Sequence, residues 1–198
     1  MARIQLNPMI LSLSGKIGGR IYRHNADGST SLCKLPSHDP NRVLSERELQ
    51  TRKRFTRASA YCQVLKQDPE KLAAYQFVTQ RRGPMARVYT TIMADILKPP
   101  SIDQLDLNNY QGHAGNTISL HARETVAIAR LTLSLHDETA GQEIETAEKI
   151  YVVDDLAPSA FWPCTTTVSV PGGHTVRVTA TAYDLAGNKA ELAQTKTL

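Results

Sequence analysis

The hydrophobic positions of this chain follow two rhythms, and the change between them falls close to residue 100. Between residues 45 and 97 apolar side chains recur every three or four positions. Phe55, Ala58, Cys62 and Leu65 share one face of a helix, with Arg47, Arg52, Lys53, Arg54 and Arg57 largely on the others. Ser45-Glu46-Arg47-Glu48 has the Ser-x-x-Glu form of a capping box, so the predicted helix opens there and runs to about Gln67. Asp68-Pro69-Glu70 restarts a helix, since Asp caps and Pro suits a first turn. Gly83-Pro84 ends it, and Met85, Val88, Tyr89, Ile92, Met93 and Ile96 make the stripe of a third helix.

Beyond residue 100 the period is two. It runs through Thr117–Ala122, Ala127–Leu135, Lys149–Val153, Thr165–Val170 and Thr175–Ala182, with turn signals between. Short alternating strands at this spacing predict an antiparallel β-sandwich, each sheet burying one face against the other. At the other end, the first 36 residues read as a small antiparallel sheet. Ile4, Leu6 and Ile10 fall at even-numbered spacings, as on one face of a strand, Ser14-Gly15 is a turn, and Asn25-Ala26-Asp27-Gly28 joins a strand over residues 16–23 to a return strand over residues 30–35. Gly18 and Gly19 inside a strand call for a bulge or a closely approaching backbone. Residues 36–40 break the chain before the helices.

The expected fold is therefore an α+β module over residues 1–98, with a small β-hairpin sheet and about three helices. A Pro-rich linker over 99–102 (Pro99-Pro100) and an all-β sandwich over 103–198 follow it.

Charge sharpens this division. Residues 1–100 hold 17 Lys/Arg against 7 Asp/Glu, and residues 101–198 hold 6 against 12. The halves thus carry +10 and −6, although the whole chain carries +4. Such asymmetry points to an interaction surface or to nucleic acid. No apolar run reaches the roughly 20 residues that span a bilayer, so membrane insertion is not expected. The first 14 residues lack the basic-then-apolar order of a secretory signal, which favours a cytoplasmic or particle-associated protein. Cys33, Cys62 and Cys164 form no CxxC motif and read as reduced structural thiols.

Candidate chemistry is sparse. Gly15-Lys16 lacks the preceding glycine and following hydroxyl of a phosphate loop. The six histidines fall at no metal-ligand spacing. Asp154-Asp155, and Asp184 with Asn188, have oxygens of the kind calcium uses, but no EF-hand or aspartate-rich repeat surrounds them, and turn chemistry accounts for them. No nucleophile sits in a strained elbow. No catalytic site, metal, cofactor or small-molecule substrate is expected. The candidate interaction surface is basic: Lys16, Gly18, Gly19, Arg20 and Arg23 in the hairpin, Arg52, Lys53, Arg54 and Arg57 on the first helix, and Arg81 and Arg82 at the end of the second.

The segment Ala182-Tyr-Asp-Leu-Ala-Gly-Asn188, after the strand that begins at Thr175, resembles the last hairpin of bacterial immunoglobulin-like domains. That resemblance covers roughly the last third of the chain and implies a spacer or binding domain of the bacterial cell-surface or phage type. The Cys…Trp…Cys core of antibody domains is missing. Ser14-Gly-Lys-Ile-Gly-Gly19 with Arg52-Lys-Arg-Phe-Thr-Arg-Ala58 resembles a group of short, uncharacterised bacterial and phage-encoded proteins, which implies multi-copy assembly. The functional expectation is a non-enzymatic structural or assembly protein. It would self-associate, or dock on a larger particle, through the basic module, with the acidic sandwich projecting or bridging. The alternative is nucleic-acid binding by the basic module, with the sandwich as an interaction domain.

Overall fold

The computed structural model describes residues 2–4 (backbone alone), 13–25, 27–36, 39, 41–65 and 67–198. The chain divides into two units, Met1–Ser45 and Glu46–Leu198.

In the first unit, β2 (Gly15–Ile17), β3 (Arg20–His24) and β4 (Thr30–Lys34) form an antiparallel meander, and β1 (Ala2–Ile4) pairs with the other side of β4. Gly18 and Gly19 do not lie inside a strand, as the sequence suggested. They are the two-residue turn joining β2 to β3, with φ of +56° and +74°. A tight hairpin whose twist matches its strands needs positive φ at both turn positions, which glycine adopts at least cost. A Cβ built at either glycine meets nothing within 4 Å, so conformation and not crowding selects glycine here. Gly19→Ala is expected to cost the hairpin about 1–2 kcal/mol, read as faster amide exchange across β2 and β3. The predicted turn at Ser14-Gly15 is absent, because Gly15 already opens β2. The second turn forms as expected: Asn25 Nδ2 donates to Ser29 Oγ at 2.8 Å and to Ser31 Oγ at 2.7 Å. Leu6, Ile10, Ala26, Ser37, His38 and Pro40, which entered the sequence reading, lie outside the described residues.

The second unit opens with α1 (Glu46–Leu65), α2 (Pro69–Arg81) and α3 (Val88–Leu97). Asp68 caps α2, its Oδ1 accepting from the Lys71 amide at 3.1 Å. The apolar face of α1 is shorter than its sequence implies. Ala58, Cys62 and Leu65 are buried, but Phe55 is 51% exposed, because only the last two turns of α1 lie against the core. Met85 precedes α3 and is 69% exposed.

Six antiparallel strands follow: β5 (Ser101–Asp106), β6 (Thr117–Asp137), β7 (Gln142–Ile150), β8 (Ala157–Thr165), β9 (Thr175–Asp184) and β10 (Lys189–Thr197). The two predicted strands around 117–122 and 127–135 are one strand, β6, which is the spine of a curled sheet. Its first half lies between β5 and β8, its second half between β7 and β9, and β10 extends β9. The curl comes from a bulge. The ladder of β6 with β8 passes from Arg123–Ser159 to Ile128–Ala157, so four residues of β6 face the single Pro158. Such an excess bends a strand and resets its phase. Before the bulge Ile118, Leu120 and Ala122 point inward; after it Leu131, Leu133 and Leu135 do, and all six join one core.

Three strand assignments change. The predicted strand at 149–153 is only the tail of β7, which ends at Ile150 before a 3-10 turn at Val153–Asp155. The rest of β7 (Gln-Glu-Ile-Glu-Thr-Ala-Glu) is mostly polar and lies at an edge, where one face need not be apolar. The predicted strand at 165–170 is a loop, since the Thr166 amide donates to Asn116 O and the Val170 amide to Gly112 O. The true strand, β8, contains Pro158 and Pro163, tolerated because among the described residues β8 pairs with β6 alone.

Residues 99–102 do not separate two compact units. Ser101 already begins β5, and the helices share a core with the sheet: Cys62, Leu65, Tyr75, Val78 and Ile92 pack with Val126 and Ala127 of the β6 bulge and with Leu156. Three short helices bury too little apolar surface alone, and the bulge offers them a second apolar face. The fold is a mixed α+β arrangement, with three helices set against a curled antiparallel sheet. Among the described residues no helix is long and apolar enough to cross a membrane.

Candidate functional site

The basic residues singled out from the sequence are divided between the two units. Lys16, Gly18, Gly19, Arg20 and Arg23 belong to the first; the arginines and lysine of α1 and α2 belong to the second. Three of the latter make bonds to backbone carbonyls. Arg54 donates to Leu97 O at 2.7 Å, placing positive charge at the C-terminal end of α3, where the helix dipole favours it. Arg81 donates to Leu156 O at 3.1 Å and stacks on Phe77. Arg82 reaches Thr125 O in the β6 bulge at 3.4 Å. Arg52, Lys53 and Arg57 are exposed on α1.

The densest chemistry lies where α3, the β6 bulge and the β9–β10 turn meet. Asp95 continues the buried face of α3 one turn beyond Thr91 and is fully buried. Glu124 is the first residue of the bulge, 6% exposed, and its Oε2 accepts from the Val126 amide. Asp184 ends β9 and is also buried. One oxygen from each of the three lies within 4.8 Å of the other two.

Each carboxylate has local partners, but they do not use every oxygen. Asp184 Oδ1 accepts from the Asn188 amide and Oδ2 from Asn188 Nδ2, both at 2.7 Å. Asn188 Nδ2 also donates to Asp95 O at 2.9 Å, tying the turn to α3. Asp95 Oδ2 accepts from Tyr75 Oη of α2 at 2.5 Å. Asp95 Oδ1 and Glu124 Oε1 are buried without a hydrogen-bond partner.

Neither a family model nor a curated protein matches this chain. The site therefore rests on its own electrostatics. Burial, then the charge of Asp184, pushes the Asp95 carboxyl up to about 8. Burial pushes Glu124 up to about 7, with Asp184 adding to the rise and Arg82 opposing it. Burial also raises Asp184. Tyr75 stays protonated, raised by burial and by Asp95. Three adjoining buried carboxylates cannot all ionise without compensating charge.

From the sequence, Asp184 and Asn188 read as turn chemistry, and the turn is indeed theirs. Asp95 and Glu124 escaped that reading. Asp95 left one signal, a carboxylate lying between Ile92 and Ile96 within the apolar stripe of α3. Glu124 left none, because its burial follows from a bulge that only strand pairing reveals. Asp154 and Asp155, the other candidate calcium pair, sit exposed in the 3-10 turn.

Proposed function

We propose that this is a non-enzymatic structural or assembly protein whose copies associate through the basic sheet of the Met1–Ser45 unit. One observation carries the reading. Both apolar clusters of the described residues lie in Glu46–Leu198, and the described residues of the first unit's meander form none of their own. The buried residues among them are Thr30 and Ser31, while Ile17 is 49% exposed. A small sheet without an apolar cluster of its own among the described residues is marginal alone and gains stability from a partner surface. Among the described residues its edge strand β2 pairs with β3 alone, which leaves a ready template for another chain.

Charge complementarity favours a second copy as that partner. Residues 1–45 hold 6 Lys/Arg against 2 Asp/Glu, and the edge strand β7 carries Glu143, Glu145 and Glu148, the last paired with Arg130 at 3.1 Å. Opposite patches on each copy favour head-to-tail contact, which closes as a ring or continues as a filament. In this reading the curled sheet is an immunoglobulin-like sandwich that projects from or bridges the assembly.

Light scattering after size exclusion tests it. At about 50 mM salt, where surface charges are weakly screened, masses of several copies are expected, falling towards one copy as salt rises. The triple change Lys16→Glu, Arg20→Glu, Arg23→Glu is expected to hold the protein monomeric. A strict monomer at every salt and concentration overturns the proposal. The exposed Arg52, Lys53 and Arg57 of α1 support nucleic-acid binding as the second reading. A monomer that retards duplex DNA in a steeply salt-dependent way would establish that reading instead.

A further inference from the structure

We propose that Asp95, Glu124 and Asp184 form a binding site for a divalent cation of the hard, oxygen-seeking class, with calcium the preferred ion. The ion would staple α3, the β6 bulge and the β9–β10 turn together. A cluster of acids is not a site by itself. Here two of its oxygens, Asp95 Oδ1 and Glu124 Oε1, are buried without any hydrogen-bond partner, on residues that are 0% and 6% exposed. Leaving a buried acceptor unsatisfied costs about 1–3 kcal/mol, and more when it is charged. The other four carboxylate oxygens of the cluster each accept a hydrogen bond, so these two are wholly free, and Asp184 would add a remaining lone pair.

The donor set selects the class of ion. It contains carboxylates and no thiolate or imidazole, which suits calcium, magnesium or manganese over zinc or copper. Calcium binds oxygens at roughly 2.3–2.6 Å, so two ligands across the ion sit up to about 5 Å apart, and magnesium, at roughly 2.0–2.1 Å, draws them to about 4 Å. The three oxygens fall within 4.8 Å of one another, which a calcium sphere spans without closure of the backbone. Magnesium also retains several waters, and the enclosed side of the cluster is filled by Tyr75, Asn188 and the bulge. A path in exists: Glu124 lines an open cavity of about 300 Å³ together with Lys98, Pro99, Arg123 and Thr125. Charge is consistent as well. Three carboxylates, an ion of charge +2 and the Arg82 guanidinium beside Glu124 sum to neutrality.

The site is independent of the assembly reading, and its test does not use oligomeric state. The full chain, treated with chelator and dialysed, is titrated with calcium, magnesium and manganese by calorimetry and followed by thermal melting. Terbium, a luminescent stand-in for calcium, is read by energy transfer from tyrosine, since Tyr75 bonds directly to Asp95. One equivalent of calcium is expected to bind. At about 100 times its dissociation constant it shifts the folding equilibrium about 100-fold towards the native state. Glu124→Gln is expected to abolish the calcium shift and the terbium signal. In chelator it should melt no lower than the parent, because it removes a buried charge while keeping the shape. That opposition of sign separates loss of binding from loss of folding, and Asp95→Asn serves as the second variant. No heat and no melting shift with any of the three ions, or a calcium shift that both variants retain, overturns the proposal.

Discussion

The melting temperature of the chelator-treated protein is expected to fall as pH rises from about 5 to about 9, opposite to the usual behaviour of carboxylates held in ion pairs. Asp95 lies at about 8 and Glu124 at about 7 in the folded chain, against ordinary values of 3.8 and 4.5. Between those limits the native state holds more protons than the unfolded chain, so stability declines with pH. The contribution is complete below the unfolded values and is lost as pH passes through the folded ones. The groups facing the cluster are Tyr75 from α2, Asn188 and Asp184 from the β9–β10 turn, and Arg82. The Tyr75 hydrogen bond and the Ala186 amide on Asp95, the Thr125 and Ala127 amides on Glu124, and the exposed Arg82 all oppose the effect, and burial outweighs them. A tenfold difference in proton affinity between folded and unfolded chain is worth about 1.4 kcal/mol, so the loss across this window is on the order of a few kcal/mol. Thermal melts in the presence of chelator measure it, and Asp95→Asn should flatten the curve markedly. A profile that rises towards pH 9 would show that these acids are ionised in the fold, against the burial that drives the expectation.

Leu133→Ala is the second large effect. Leu133 is fully buried in the second half of β6, between β7 and β9, and belongs to the core that joins both halves of the sheet. Removing a leucine side chain from a closed core costs about 2–5 kcal/mol, the spread reflecting how far the site can collapse. Collapse is restricted here, because β6 is hydrogen-bonded on both sides. The loss is therefore expected in the upper half of that range, with one cooperative unfolding transition that includes the helices, since they share a core with the β6 bulge. Urea denaturation followed by far-UV dichroism, with tyrosine fluorescence as a second probe, gives the value. Helices that melt separately from the sheet in this variant would contradict a single Glu46–Leu198 unit.

Local structure was well marked along the chain. The starts of α1 and α2 follow from Ser45 and Asp68, which can satisfy amides that a helix leaves open. The β9–β10 hairpin was plain because Thr175–Ala182 alternates strictly and Asp184–Asn188 is a run of turn formers. Where position in the sheet decided the outcome, the pattern failed. Both β7 and β8 are edge strands, one charged and one carrying two prolines. An edge relaxes the very constraints that make a strand visible in sequence.

The amino-acid sequence by itself determined the two periodicities, the starts of the first two helices, the turn at Asn25–Gly28 and the opposite charge of the two halves. These are local quantities, set by backbone sterics, capping and composition. Tertiary structure alone decided that the helices belong with the sheet, and it did so through the β6 bulge. Four residues there, set against one of β8, turn Val126 and Ala127 towards the helices and carry Glu124 into the same interior. The carboxylate cluster has the same origin. Asp95, Glu124 and Asp184 are far apart in sequence and ordinary one by one, and they become a site only because a bulge, a helix face and a turn bury them together. Dielectric environment, mutual repulsion and the two unsatisfied oxygens are properties of that packing, which no local pattern encodes.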